Sequence, residues 1–133
     1  MRRRLDTAGT GAWGIGIDTS NNILWSKLES PTYALTIGSS VLARWQHIAV
    51  CREAGMVRVY LDGVLTGRQR DATNYTSSFD LFLGSWGRSG PGTLPAQEWL
   101  NGYIEDFRIT KGFARYGSSF FPPLAAYPDA VSR

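Results

Sequence analysis

Glu105-Asp106 is the densest acidic site in the chain, and paired carboxylates are what glycoside hydrolysis requires. They must flank one bond, about 5–5.5 Å apart in retaining enzymes. Neighbours in a strand point to opposite faces, so adjacent acids serve one bond only where a bulge turns one of them. Glu98 and Asp62 stand singly in turn-like contexts. His47 is the sole histidine and Cys51 the sole cysteine. On one strand they would share a face ~13 Å apart at about 3.3 Å per residue, too far for one to activate the other. Calcium takes about six to eight oxygens. Asp18, Asp62, Asp71, Asp80 and Asp106 offer carboxylates, but scattered rather than at ligand spacing. The residues therefore assign no catalytic group and no cofactor, with Ca²⁺ kept as the lesser alternative.

Sugar recognition needs less: an aromatic ring to stack on a pyranose and a few polar groups on loops. The segment Gly84–Trp99 supplies Trp86, Arg88, Gln97 and Trp99, and a second loop supplies Asn74 and Tyr75. The ligand set read from the sequence is Trp86, Arg88, Asn74, Tyr75 and Gln97. For Trp86, burial beneath its own loop competes evenly with contact to sugar. Trp99 reads as core. Trp13 and Trp25 lie in strands, as core or as interface anchors together with Phe121. Asn74-Tyr75-Thr76 matches a glycosylation sequon, discounted because no secretion signal accompanies it.

The elements that must position these residues come from 133 residues, 43% hydrophobic and 13% aromatic, the size and apolarity of one globular domain. Net charge is +3, too weak and too dispersed to imply nucleic acid. Met1-Arg2-Arg3-Arg4 is basic, yet the polar Asp6-Thr7 follows where a signal peptide would turn apolar. It reads as a solvated terminus. No apolar run approaches the roughly 18 residues a membrane-spanning helix needs. One cysteine forms no intrachain disulfide, which suits a reducing compartment.

Alternating segments between turn residues dominate. Trp13–Asp18 and Ile23–Lys27 form a hairpin around Thr19-Ser20-Asn21-Asn22, and Tyr33–Ile37 follows. Trp45–Glu53 turns at Ala54-Gly55 into Met56–Leu61. Asp62-Gly63 then turns into Val64-Leu65-Thr66, a strong hairpin signal because both positions tolerate positive φ. Further strands are expected at Leu81–Gly84 and Gly102–Thr110. In the latter, Ile104 and Ile109 fall on different faces unless a bulge lies near Asp106. Phe113–Tyr116 suggests a single helical turn. Many short strands with no helices between them indicate antiparallel pairing.

Trp45-Gln46-His47-Ile48-Ala49-Val50 through Val57–Gly63 resembles the central hairpin of laminin-G-like domains in the concanavalin A-like lectin/glucanase superfamily. Leu100–Ile109 resembles their closing strand, and Lys111–Tyr116 with Phe120–Pro123 and Tyr127-Pro128 resembles the ending of bacteriophage copies. The resemblance implies an all-β jelly-roll sandwich of two antiparallel sheets over residues 11–128. Residues 1–10 form a basic lead-in and 129–133 a tail. It implies structural roles for His47 and for Glu105-Asp106, and a non-catalytic module rather than an enzyme. The module would be a virion accessory on tail, fibre or capsid, adhering to surface glycan or to the particle. The alternative is a free-standing lectin, and a glycosidase is the lesser one. The sandwich is short at its N-terminus relative to the family, so its open sheet is expected to be covered by a second copy or a partner chain. Assembly in the host cytoplasm is expected, without nucleic-acid binding or membrane insertion.

Overall fold

A computed structural model describes residues 12–27, 33–76, 81–86 and 97–125, and no helix occurs among them. The strands are β1 (Trp13–Ile17), β2 (Asn22–Lys27), β3 (Tyr33–Ser39), β4 (Ile48–Glu53), β5 (Met56–Leu61), β6 (Val64–Arg70), β7 (Ser85–Trp86) and β8 (Gln97–Trp99). They form antiparallel sheets in the orders β1-β2-β3, β4-β5-β6 and β7-β8. β3 packs across β5 and β6, closing the two larger sheets into a sandwich.

Side-chain alternation builds the core. Ile15 pairs with Trp25 and Ile17 with Ile23 on one sheet, while Val50 pairs with Val59 and Arg52 with Val57 on the other. Directly opposed residues share a face. Ile23, Trp25, Ile37, Val57 and Val59 thus meet in the interior, with Ile17, Leu35, Val50, Leu61 and Tyr75 packed around them. Each such burial is worth about 1.5–3 kcal/mol. Both larger sheets carry a bulge. Ile37 is the extra residue between the Ile23–Gly38 and Leu24–Thr36 pairs, and Thr66 is the extra one between Val59–Gly67 and Tyr60–Leu65.

The turns follow the sequence. Asp18 accepts from the Ser20 and Asn22 backbone N–H groups, 2.8 Å each, and Asn21 sits at φ +62°. Asp62 and Gly63 take φ +50° and +80°, as a two-residue hairpin turn demands. The Asp62 carboxylate accepts from His47 N–H and from Arg44, both at 2.8 Å.

Four expectations are corrected. Leu81–Gly84 is not a strand; the short pairing begins at Ser85. Trp45–His47 precede the strand that starts at Ile48. Gly102–Thr110 joins no ladder among the described residues, and Asp106 lies at φ +52°, where an L-residue interrupts an extended run. Phe113–Tyr116 makes bends rather than a helical turn. What this ending does instead is fasten to the outer face of β5. Tyr60 alternates away from Val59, and its hydroxyl donates to the Tyr116 carbonyl at 2.9 Å. The Phe120 N–H donates to the Gly63 carbonyl at 2.8 Å. The Leu65 N–H donates to the Ser119 hydroxyl at 3.0 Å.

Candidate functional site

At the end of the sandwich bearing the Ala54-Gly55 turn, Arg52, Glu53 and Asp71 border one open hollow. Arg52, opposite Val57, extends from the inner face of β4 where the apolar core runs out. The ladder continues past β6 through Asp71 N–H to the Gly55 carbonyl, 2.8 Å. That bond fixes Asp71 beside the turn. Asp71 Oδ1 accepts from Thr73 N–H at 3.0 Å, an Asx turn, and Oδ2 accepts a short bond from the Tyr75 hydroxyl. The Arg52 guanidinium lies 4.9 Å from the Tyr75 ring centroid, donates to the Thr73 carbonyl at 2.5 Å, and stands 3.9 Å from Asp71 Oδ2. Together Arg52, Glu53, Ala54, Gly55, Asp71 and Ala72 line an open depression of about 530 Å³.

Asp71 is only 4% exposed. Burial alone would raise its pKa, but hydrogen bonds from Tyr75 and Thr73 and the charge of Lys27 outweigh it, leaving the carboxyl below its ordinary value. It is a charged, fully engaged anchor. The hollow's second acid, Glu53, lies 3.6 Å from the Arg58 guanidinium.

Of the residues read from the sequence as ligand contacts, the structure brings Tyr75 to this hollow, with Asn74 exposed beside it. Tyr75 braces Arg52 and Asp71 with its ring and hydroxyl. Trp86 and Gln97 are partners across the separate β7–β8 ladder, and Arg88 lies outside the described residues. Trp99, read as core, is 70% exposed. Trp25 is 3% exposed within the central cluster, so this chain already uses it as core and it anchors no outer interface. Trp13 at 42% and Phe121 at 100% do present surface. Sequence reasoning missed Arg52, whose signal was its place opposite Val57 at the strand's end.

The calcium candidates stand apart. Asp18, Asp62 and Asp71 are each engaged in their own turn, Asp106 is exposed, and Asp80 lies outside the described residues. No group of three or more His, Cys, Asp or Glu suited to a metal occurs among the described residues. Glu105 and Asp106 are both exposed; the left-handed Asp106 supplies the backbone break, but the pair lies on the surface. Cys51 is a buried free thiol. His47 packs edge-on against Phe120, centroids 5.5 Å apart.

Two packed antiparallel sheets, with no helix among the described residues, define a β-sandwich. The chain belongs to the laminin-G-like family of the concanavalin A-like lectin/glucanase superfamily, whose family model matches residues 1–113. No curated protein matches the sequence. A crystal structure of an S-layer domain-containing protein from Clostridium thermocellum is similar over 90% of this chain, with 20% identity and a TM-score of 0.44. The chain spans 63% of that structure.

Proposed function

We propose that this chain is a non-catalytic adhesion module whose loop-bearing end binds glycan. One observation carries the reading: a stacked Arg52–Tyr75 pair beside a buried Asp71, opening onto solvent at the edge of a lectin-type sandwich. Fixed donors and acceptors on a rigid sheet end are what recognition of hydroxyl-bearing ligands uses. The resemblance of the ending to bacteriophage copies supports placing the module on a virion, as a tail, fibre or capsid accessory assembled in the host cytoplasm. Immobilised chain on a glycan array tests it. Retention of a defined glycan supports adhesion, and a blank array removes it. No release of reducing sugar from a retained glycan is expected; release abolished by Glu105→Gln would convert the reading to a glycosidase.

A second reading is favoured by the exposure of Trp13, Ile15 and Phe121. Trp13 and Ile15 lie on the same face of their sheet as the buried Trp25, at an edge the second sheet leaves half open. Here the chain is a structural subunit whose open edge packs on a second copy or a partner, with aromatic anchors at the contact. Sedimentation velocity at micromolar concentration separates the two: a strict oligomer supports the structural role, and a monomer opposes it.

A further inference from the structure

We propose that residues 116–122 are a strap that acid releases from the β5–β6 hairpin, with His47 as the trigger. The His47 backbone is fixed twice to the turn: its N–H donates to the Asp62 carboxylate and its carbonyl accepts from the Asp62 N–H, both at 2.8 Å. Its ring packs edge-on against Phe120, centroids 5.5 Å apart, and Nδ1 is buried with no hydrogen-bond partner among the described residues. Protonation would create a cation with one N–H shut away from water and from any acceptor, an unfavourable state. Asp62 does not relieve it, because Oδ1 is engaged by the His47 N–H and Oδ2 by Arg44 at 2.8 Å. Burial accordingly holds the His47 pKa below its ordinary value, against a smaller upward pull from Asp62.

The other titratable and charged groups around this contact are occupied elsewhere. On β5 the Tyr60 hydroxyl donates to the Tyr116 carbonyl, and Arg58 lies 3.6 Å from Glu53. On the strap side Tyr116 stacks on Phe120, and Arg115 donates to the Thr110 hydroxyl at 3.4 Å. A charged His47 is therefore accommodated once Phe120 has moved away and water reaches the ring. The sheets around it are held by continuous ladders. The strap is held by the Phe120 N–H on Gly63, the Ser119 hydroxyl on Leu65, the Tyr60 hydroxyl and its stacked rings, so it opens at lower cost than either sheet. The closed state binds the proton less well than the open one. The neutral ring thus favours closure above about pH 6.5, and that contribution is lost as pH falls toward the closed-state value. One group with an ordinary value near 6.5 can raise the opening constant by up to about 30-fold at pH 5.

Amide hydrogen exchange of the full chain at pH 7 and pH 5, corrected for intrinsic rates, tests the strap. Its reporters are the Phe120 N–H on the Gly63 carbonyl and the Leu65 N–H on the Ser119 hydroxyl. Both are expected to lose protection severalfold at pH 5, within that limit. Their exchange is expected to depend less on dilute urea than that of β5 amides, because local opening exposes little surface. His47→Gln is expected to abolish the acid increment. His47 is the sole histidine, so its ring-proton NMR titration gives a second readout: Phe120→Ala is expected to move the midpoint up toward about 6.5. Unchanged protection at pH 5, an acid increment that His47→Gln retains, or a midpoint that Phe120→Ala leaves in place overturns the trigger. A urea dependence equal to that of β5 overturns the strap, since the opening is then global unfolding.

Discussion

Tyr116 stacks face to face on Phe120, ring centroids 3.5 Å apart and planes 4° from parallel. Phe120 also meets the Tyr60 ring edge-on at 5.4 Å. A segment without strand or helix is thus held to the β5–β6 hairpin by three aromatic rings and three hydrogen bonds. Phe120→Ala is expected to destabilise the fold by about 2–3 kcal/mol, below the ~3–5 kcal/mol of a fully buried phenylalanine because the residue is only partly buried. Tyr60→Phe, which removes only the hydroxyl bonded to the Tyr116 carbonyl, is expected to cost about 1 kcal/mol. Urea unfolding followed by tryptophan fluorescence measures both, and equal effects would refute the clamp.

Gly63 has the narrowest tolerance among the described glycines. It turns at φ +80°, and a Cβ there would overlap the Phe120 carbonyl. Gly63→Ala is expected to cost more than about 2 kcal/mol by combining backbone strain with displacement of the ending. Gly117, in the same ending, has open space around its Cβ position. Gly117→Ala is expected to stay within about 0.5 kcal/mol. Thermal melts of the two variants side by side decide it.

Acid should unfasten the hollow. The Asp71 pKa is depressed in the fold, so its contribution is present above the unfolded value of about 3.9 and is lost as pH falls through the folded value. Asp71→Asn is expected to lower stability at pH 7 and to flatten the acid limb below pH ~4. An unchanged limb in urea titrations would remove Asp71 as its source.

His47 acts in a higher window. Its pKa is lowered by burial, against a smaller upward pull from Asp62, and its Nδ1 is buried without a hydrogen-bond partner among the described residues. A depressed folded pKa makes the neutral ring's contribution present above about 6.5 and lost as pH drops below that. The protein is expected to be less stable at pH 5 than at pH 7, and His47→Gln to reduce the difference. Chemical denaturation at the two pH values checks this.

The two larger sheets were legible because each depends on a local code: period-two alternation, Asp62-Gly63, and the Thr19-Ser20-Asn21-Asn22 turn. The sequence leaves Trp25 between core and interface anchor, although alternation from Ile23 puts both on one face, and the structure places it in the core. The ending was not. Tyr116 and Phe120 stand four apart, a helical spacing, yet their stacking is organised by Tyr60, 56 residues from Tyr116 in sequence. Gly102–Thr110 carries strand-like residues, but a left-handed Asp106 interrupts the run, and only the offset of Ile104 from Ile109 hinted at it. For the hollow, the sequence pointed to Tyr75 as a ring to stack on sugar; its role in bracing Arg52 and Asp71 depends on a register no single loop displays.

Because the family match stops at residue 113, a domain excised at that boundary would retain both sheets and lose the segment that shields Tyr60. The phenol, 0% exposed in the whole chain, would then face water, and β5 would change from a strand covered on both sides to one covered on a single side. Trimming for crystallisation or fusion should therefore retain residues through Pro122, whose ring lies against the Gly63 turn.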